Sequence, residues 1–214
     1  MTTAADAPAA VRTVAAFDFD GTLTHRDTLV PFLMRVRGRL PVVRALATHG
    51  PAFARAARTA EARHRAKEAL LIDTIGGWWL DELQPVADEF AQHLVETRLR
   101  PDRLARLRWH QQQGHDVVIV SASPELYVAP VGRLLGCATV LATKLEVDRR
   151  GRLTGRIFRD NVRGPVKQRL LRDCLGATPA RIWAYGDSDG DADKLAMADT
   201  PTRLRPRDTL TAAP

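Results

Sequence analysis

The sequence predicts an α/β protein: a parallel-sheet core with helices on both faces and an inserted all-helical cap. Three observations lead there. Short apolar, β-branched runs recur at 13–17, 117–120 and 181–186, each ending abruptly at polar residues, which is how strands buried on both faces read. In the second half of the chain, strand-like runs alternate with stretches of helical spacing, and that alternation specifies a parallel sheet with right-handed crossovers. Between the first and second runs, residues 28–100 carry helical spacing and no convincing strand. The expected division is a disordered tail over 1–12, a core of 13–27 plus 101–214, and a helical cap over 28–100.

Each element has its own signal. After the opening strand, Leu29, Val30, Leu33, Met34 and Val36 recur at helical spacing, so a helix is expected over 27–39. Asp27 or Thr28 can cap it, and Pro31 is tolerated in a first turn. Gly38 and Pro41 punctuate it. A second helix is expected over 41–48, broken by His49-Gly50-Pro51, with further helices over 51–58, 64–75, 79–99 and 101–113. Trp78 and Trp79 follow a Gly-Gly break and are expected to pack between helices. Then come a strand over 117–120, a helix over 124–135 and a short strand over 138–141. A hairpin joins 144–147 to 153–157 about Asp148-Arg149-Arg150-Gly151. A helix over 165–175, a strand over 181–186 and a helix over 192–198 complete the pattern. From Thr200 onward, Pro201 and Pro206 leave the path of the chain unassigned.

Composition bounds the function. The 214 residues are 45% hydrophobic and 27% charged, with a formal charge of +7, ordinary for a globular protein able to bury a sizeable core. The basic charge suits an anionic partner such as a phosphorylated metabolite, a lipid headgroup or nucleic acid. The arginines are scattered along the sequence, so most are expected to be solvated and no nucleic-acid partner is expected. Two cysteines, Cys137 and Cys174, lack C-x-x-C spacing, which fits a reducing cytoplasm. No run reaches the length of a membrane span, leaving only peripheral membrane contact open. Residues 1–11 lack the charged and apolar regions of a secretory signal. Oligomeric state is not legible.

The polar residues that end the apolar runs could assemble one site. Asp18 and Asp20 end the first, Ser121 ends the second, and Gly186-Asp187-Ser188-Asp189-Gly190-Asp191 ends the last, while Lys167 lies in the 165–175 helix. Open α/β sheets bind ligands at the carboxyl ends of their strands. Alone, Asp18-Phe19-Asp20-Gly21 could be a solvated acidic turn, Ser121 a turn residue and Lys167 a solvated charge. Together they read as several carboxylates that need compensating positive charge, which Mg²⁺ supplies as a hard, oxygen-seeking cation. Lys167 and Ser121 would complete a phosphate cradle. Such a set suits phosphoryl transfer: Asp18 attacks phosphorus, and Asp20 acts as general acid and then general base. The acidic loop is not an EF-hand, because Ala192 stands where the turn glycine belongs and Ala198 where the bidentate glutamate belongs. No phosphate-binding G-x-x-x-x-G-K-[ST] run and no dinucleotide fingerprint occurs.

Four motifs in order resemble the haloacid dehalogenase superfamily, in its phosphoserine-phosphatase-like branch. They are Phe17-Asp18-Phe19-Asp20-Gly21-Thr22-Leu23-Thr24, Val117-Val118-Ile119-Val120-Ser121, Asn161-Val162-Arg163-Gly164-Pro165-Val166-Lys167 and Tyr185-Gly186-Asp187-Ser188-Asp189-Gly190-Asp191. The resemblance implies a Rossmann-like core and a Mg²⁺-dependent phosphomonoester hydrolase working through an aspartyl-phosphate on a small phosphorylated metabolite. It implies metal ligation by Asp18, Asp20 (through its carbonyl), Asp187 and Asp191, and phosphate contacts from Gly21, Thr22, Ser121, Ala122 and Lys167. Substrate residues of that branch correspond here to Asp27 and Lys67, one methylene shorter and without a bidentate fork compared with the family's Glu and Arg. Phosphoserine, a phosphorylated lipid headgroup, transfer of the phosphoryl group to an acceptor, and a non-catalytic anion- or nucleic-acid-binding role are the competing expectations.

Overall fold

The computed structural model describes residues 11–56 and 59–214. The tail expected over 1–12 falls mostly outside them, as do the last two residues of the helix expected over 51–58. Arg12, placed in that tail by the sequence reading, already belongs to β1 (Arg12–Phe17), paired through its guanidinium to Asp116 at 2.7 Å. Four helices follow: α1 (Leu29–Arg37), α2 (Arg39–Ala56), α3 (Ala60–Ile75) and α4 (Leu80–Thr97). Then come α5 (Pro101–Gln112), β2 (Asp116–Pro124), α6 (Glu125–Leu134), β3 (Thr139–Thr143), β4 (Leu145–Val147) and β5 (Leu153–Ile157). The chain continues through α7 (Pro165–Leu175), β6 (Ala180–Gly186), α8 (Ala192–Ala196) and β7 (Thr200–Arg203).

Five strands form one parallel sheet in the order β3-β2-β1-β6-β7, and β4 and β5 form a separate antiparallel hairpin. Alternate residues of β1 and β2 serve opposite faces. Ala15, Phe17, Val117 and Ile119 pack with Leu107 of α5 and Tyr127, Val128 and Val131 of α6. Val14, Ala16, Val118 and Val120 pack with Leu171 and Leu175 of α7. Burial on both faces explains why these strands are continuous apolar runs. The register fixes what lies at the top: Phe17 is level with Ile119 on one side and with Tyr185 on the other. The next residues of β1 and β6, Asp18 and Gly186-Asp187, and Ser121 of β2 therefore emerge at one edge.

Two expectations are corrected, one is extended and one gap is filled. The break at His49-Gly50-Pro51 does not occur: α2 runs unbroken through Gly50 and Pro51. Its buried Val42 and Ala45 anchor it in the core, and such packing outweighs a local breaker. β2 extends past Val120 through Ser121 to Pro124, because Ser121 and Pro124 still pair with Ala142 and Thr143 of β3. Trp78 and Trp79 seat the hairpin rather than only packing between helices: the Arg152 guanidinium lies 4.4 Å from the Trp79 ring centroid, Leu153 N donates to Trp78 O at 2.8 Å and Leu80 N to Gly151 O at 3.0 Å. The segment from Thr200 is the edge strand β7, a position that tolerates Pro201. Beyond it the chain crosses α5, where buried arginines take its carbonyls. Arg100 donates to Pro206 O and Asp208 O, Arg103 to Asp208 O, and Arg106 to Thr211 O and Ala212 O, at 2.6–3.1 Å.

Candidate active site

β1 delivers Asp18 buried at its carboxyl end, with Asp18 N donating to Tyr185 O at 2.9 Å. The chain then turns sharply, and Gly21 at φ 77° takes a conformation that favours glycine. Space demands glycine as well, since a Cβ there would lie 2.1 Å from Asp187 Oδ2. This turn separates the two acids. Asp18 faces inward: its Oδ1 accepts from Lys167 Nζ and its Oδ2 from Thr22 Oγ1 at 3.2 Å. The Thr22 hydroxyl, expected at the phosphate, is thus directed to Asp18. Asp20 faces the other way, its Oδ1 accepting from Thr28 N at 2.8 Å and Thr28 Oγ1 at 2.7 Å, and its Oδ2 from Ser123 Oγ. Tyr127 Oη lies 3.0 Å from Thr28 Oγ1, within hydrogen-bond distance.

The electrostatics separate the acids further. Burial, then the charge of Asp27, pushes Asp20 up to about 7, against the Ser123 and Thr28 donors that favour its anion. Burial opposes the charge on Lys167, but Asp18 and Asp191 outweigh it and hold the ammonium above the ordinary lysine value. Asp191 is fully buried, with Oδ1 2.7 Å from Lys167 Nζ and 3.0 Å from Lys194 Nζ. Burial resists its ionisation, yet Lys194 and then Lys167 bring it down to about 2. Asp187 has no ion pair among the described residues: burial, then the charges of Asp18 and Asp191, raise it to about 6, against the pull of Lys167.

The structure therefore brings Asp18, Asp187 and Asp191 together, with an oxygen of each within 4.8 Å of the others. The Asp20 carboxylate, expected near a metal only through its backbone, stands outside this trio. Asp18, Asp20, Asp27, Lys67, Ser121, Ala122, Lys167 and Asp187 line one cavity of about 340 Å³. Ser121 is buried, its Oγ accepting from Ser123 N at 3.0 Å. Asp27 is exposed and caps α1 through Leu29 N at 3.0 Å. Lys67, expected at the substrate, lines this cavity and also joins α3 to the core, donating to Ala122 O and to Asn161 Oδ1 at 3.1 Å. Thr143 Oγ1 donates to the same Ala122 carbonyl at 2.6 Å. Burial lowers Lys67 to about 8, against the pull of Asp20 and Asp27.

Sequence reasoning missed Thr28, Ser123, Arg63, Arg163, Asn161 and Lys194. Lys194 had a signal, since Asp191 precedes it by three residues on a helical stretch. Its Nζ also donates to Tyr185 O at 2.7 Å, tying the acidic loop to β6. Arg63 and Arg163 line the cavity from α3 and from the segment before α7.

Comparison with known proteins agrees with this geometry. The family model for haloacid dehalogenase-like hydrolase matches residues 15–196. Protein CicA of Caulobacter vibrioides is 34% identical over 192 residues, which is 87% of this chain and 83% of that protein. A Bordetella pertussis protein of unknown function superposes with a TM-score of 0.71 at 24% identity, covering 87% of this chain and 86% of the other. A phosphoserine phosphatase solved as a phospho-aspartyl intermediate analogue superposes with a TM-score of 0.61 at 15% identity, covering 88% and 84%. The chain belongs to the haloacid dehalogenase-like hydrolases, and its fold is that of their phosphoserine-phosphatase-like branch.

Proposed function

We propose that this hydrolase is a Mg²⁺-dependent phosphomonoesterase that forms an aspartyl-phosphate on Asp18 and acts on a small phosphorylated metabolite. Its enzyme class, a phosphatase, follows from family and fold together. The observation that carries the mechanistic reading is the divergence of two acids only two residues apart. Asp18 is gripped by an ammonium, and Asp20 sits near 7 among neutral donors, and acids whose environments differ in this way divide nucleophile from acid/base.

The residues fit a divalent cation. Asp187 is a half-buried carboxylate whose raised pKa marks missing positive charge, and the trio offers only oxygen donors, as Mg²⁺ prefers. Asp18 and Asp187 would hold the ion, supported by Asp191, which its two lysines already balance. When bound, Mg²⁺ would neutralise phosphoryl oxygens and the nucleophile alike.

Asp18 attacks phosphorus and the ester oxygen leaves, protonated by the Asp20 carboxyl. Asp20, now a carboxylate, then takes a proton from water as that water attacks the phosphorus of the acyl phosphate. Phosphate is released and both carboxyls return to their starting states. Lys167 orients Asp18 through its Nζ, and the Ser121 hydroxyl donates to a phosphoryl oxygen. The helical block over 28–100 acts as a cap, a reading supported by Leu29, Arg63 and Lys67 lining the same cavity as the core acids. The cavity volume suits a small substrate.

The test is a phosphate-release screen over phosphorylated metabolites with and without Mg²⁺, using Asp18→Asn as control. Free phosphate that needs both Mg²⁺ and Asp18 is expected. Turnover retained by Asp18→Asn in a folded protein sinks the nucleophile assignment, and phosphate recovered only on an acceptor alcohol makes the enzyme a phosphotransferase.

A further inference from the structure

Thirty-three consecutive residues, 28–60, contain six arginines and no acid. The arginines that look scattered over the whole sequence are therefore one-signed here, and the structure gives that stretch a surface. On α2, Val42 and Ala45 are buried, while Leu40 is 79% and Val43 51% exposed. Leu40, Val43 and Ala47 recur at helical spacing and are not buried in the core. This outward strip adds an apolar face to a helix whose inward face is already apolar. Arg37, Arg39 and Arg44 border it, exposed and without an ion pair among the described residues; Arg35 pairs with Glu89 at 2.9 Å. None of residues 37–47 lines the active-site cavity, so substrate binding does not account for the strip.

Two large aliphatic side chains one turn apart, ringed by unpaired guanidiniums on an acid-free segment, match the chemistry of an anionic bilayer surface. Aliphatic side chains enter the headgroup boundary while arginines meet lipid phosphates. Nucleic acid would use the arginines but has no call on Leu40 and Val43, and a second copy of this basic face would be repelled. We propose that the α1–α2 edge of the helical block, centred on Leu40, Val43, Arg39 and Arg44, is a peripheral docking surface for membranes containing anionic lipid. No helix among the described residues is long and apolar enough to cross a membrane, so the contact is reversible and lies in the interface.

The experiment is co-sedimentation of the full chain with vesicles of phosphatidylcholine alone and of phosphatidylcholine mixed with phosphatidylglycerol, over a salt series. Binding to the mixed vesicles alone is expected, fading as salt rises. Each arginine removed should weaken partitioning about five-fold, so Arg39→Glu with Arg44→Glu loses well over an order of magnitude. Leu40→Asp with Val43→Asp should abolish it. Far-UV circular dichroism and unchanged turnover of a soluble aryl phosphate confirm that the variants remain folded. The proposal is overturned if wild type ignores the mixed vesicles or binds both vesicle types equally. It is equally overturned if the Leu40/Val43 variant still binds, if a DNA oligonucleotide competes the protein off through the arginines alone, or if the strip instead mediates self-association by sedimentation velocity.

Discussion

Replacing Gly21 by alanine drives a methyl group into the carboxylate of Asp187. The Cβ would stand 2.1 Å from Oδ2 and 2.9 Å from Cγ, whereas ordinary contact begins near 3.4 Å, so the carboxylate or the turn must retreat by about 1.3 Å. The backbone adds to this, since alanine at φ 77° pays about 1–2 kcal/mol that glycine does not. Displacement of a catalytic group by about 1 Å costs roughly 100-fold in rate. Gly21→Ala is therefore expected to lower kcat/KM by about 100-fold or more, to raise the Mg²⁺ concentration needed for half-maximal activity, and to lower unfolding free energy by about 1–2 kcal/mol. Phosphate release at graded Mg²⁺ and urea unfolding measure these effects. Because the harm runs through Asp187, Gly21→Ala should add little once Asp187→Ala is present, a non-additivity expected of touching residues. If Gly21→Ala retains near wild-type kcat/KM with the same Mg²⁺ dependence, the placement of Asp187 against the first turn is wrong.

Two further outcomes follow from buried polar groups. Lys67→Ala removes a charged hydrogen bond to the Ala122 carbonyl and leaves Thr143 Oγ1 as its donor; it should lower unfolding free energy by about 1.5–3 kcal/mol and lower kcat by loosening Ala122 against the cavity. A change confined to KM would return Lys67 to substrate binding, and no change in either constant would remove it from the site. His110 is buried, its Nε2 2.8 Å from Tyr185 Oη and its Nδ1 2.8 Å from His115 Nδ1. Burial, then His115 and Arg106, lowers its pKa to about 3, against about 6.5 in an unfolded chain. Below pH 6.5 the unfolded state gains a proton that the folded state refuses, so stability is unaffected at higher pH and falls as pH drops from 6.5 toward 3. At pH 5 the loss is about 2 kcal/mol. Urea midpoints at pH 7.5 and 5.0 should converge more in His110→Gln than in wild type, and an equal decline in both proteins refutes the assignment.

The sheet and the acids were legible because one feature wrote both. β1, β2 and β6 are buried on both faces, so their sequences are apolar until the carboxyl edge, and the first polar residues beyond are Asp18, Ser121 and Asp187. What was not legible depends on partners distant in sequence. Gly50-Pro51 carries a break signal that the packing of α2 overrides, and nothing local announces that packing. Lys67 reads in sequence only as a substrate-facing lysine, and its partners 55 and 94 residues away add a second contact that nothing local announces. Thr28 resembles a helix cap in sequence, yet its hydroxyl serves Asp20. The unpaired basic strip was hidden for another reason: counting charge over the whole chain averages an acid-free segment with acid-rich ones.

The strapping of residues 206–212 across α5 changes what the end of this chain means. Arg103 is completely buried, and Arg100 and Arg106 nearly so, and each donates to backbone oxygens from that segment. The carbonyls act as a solvent shell built from the protein's own main chain, and with the Asp102 carboxylate beside Arg100 and Arg103 and Tyr185 Oη beside Arg106 they surround the three guanidiniums with oxygens. Trimming the segment or replacing it with a linker would therefore be an interior substitution, taking the main-chain acceptors from three buried arginines. Seven residues with the look of a dispensable tail are where this fold supplies main-chain oxygens to the buried arginines of α5.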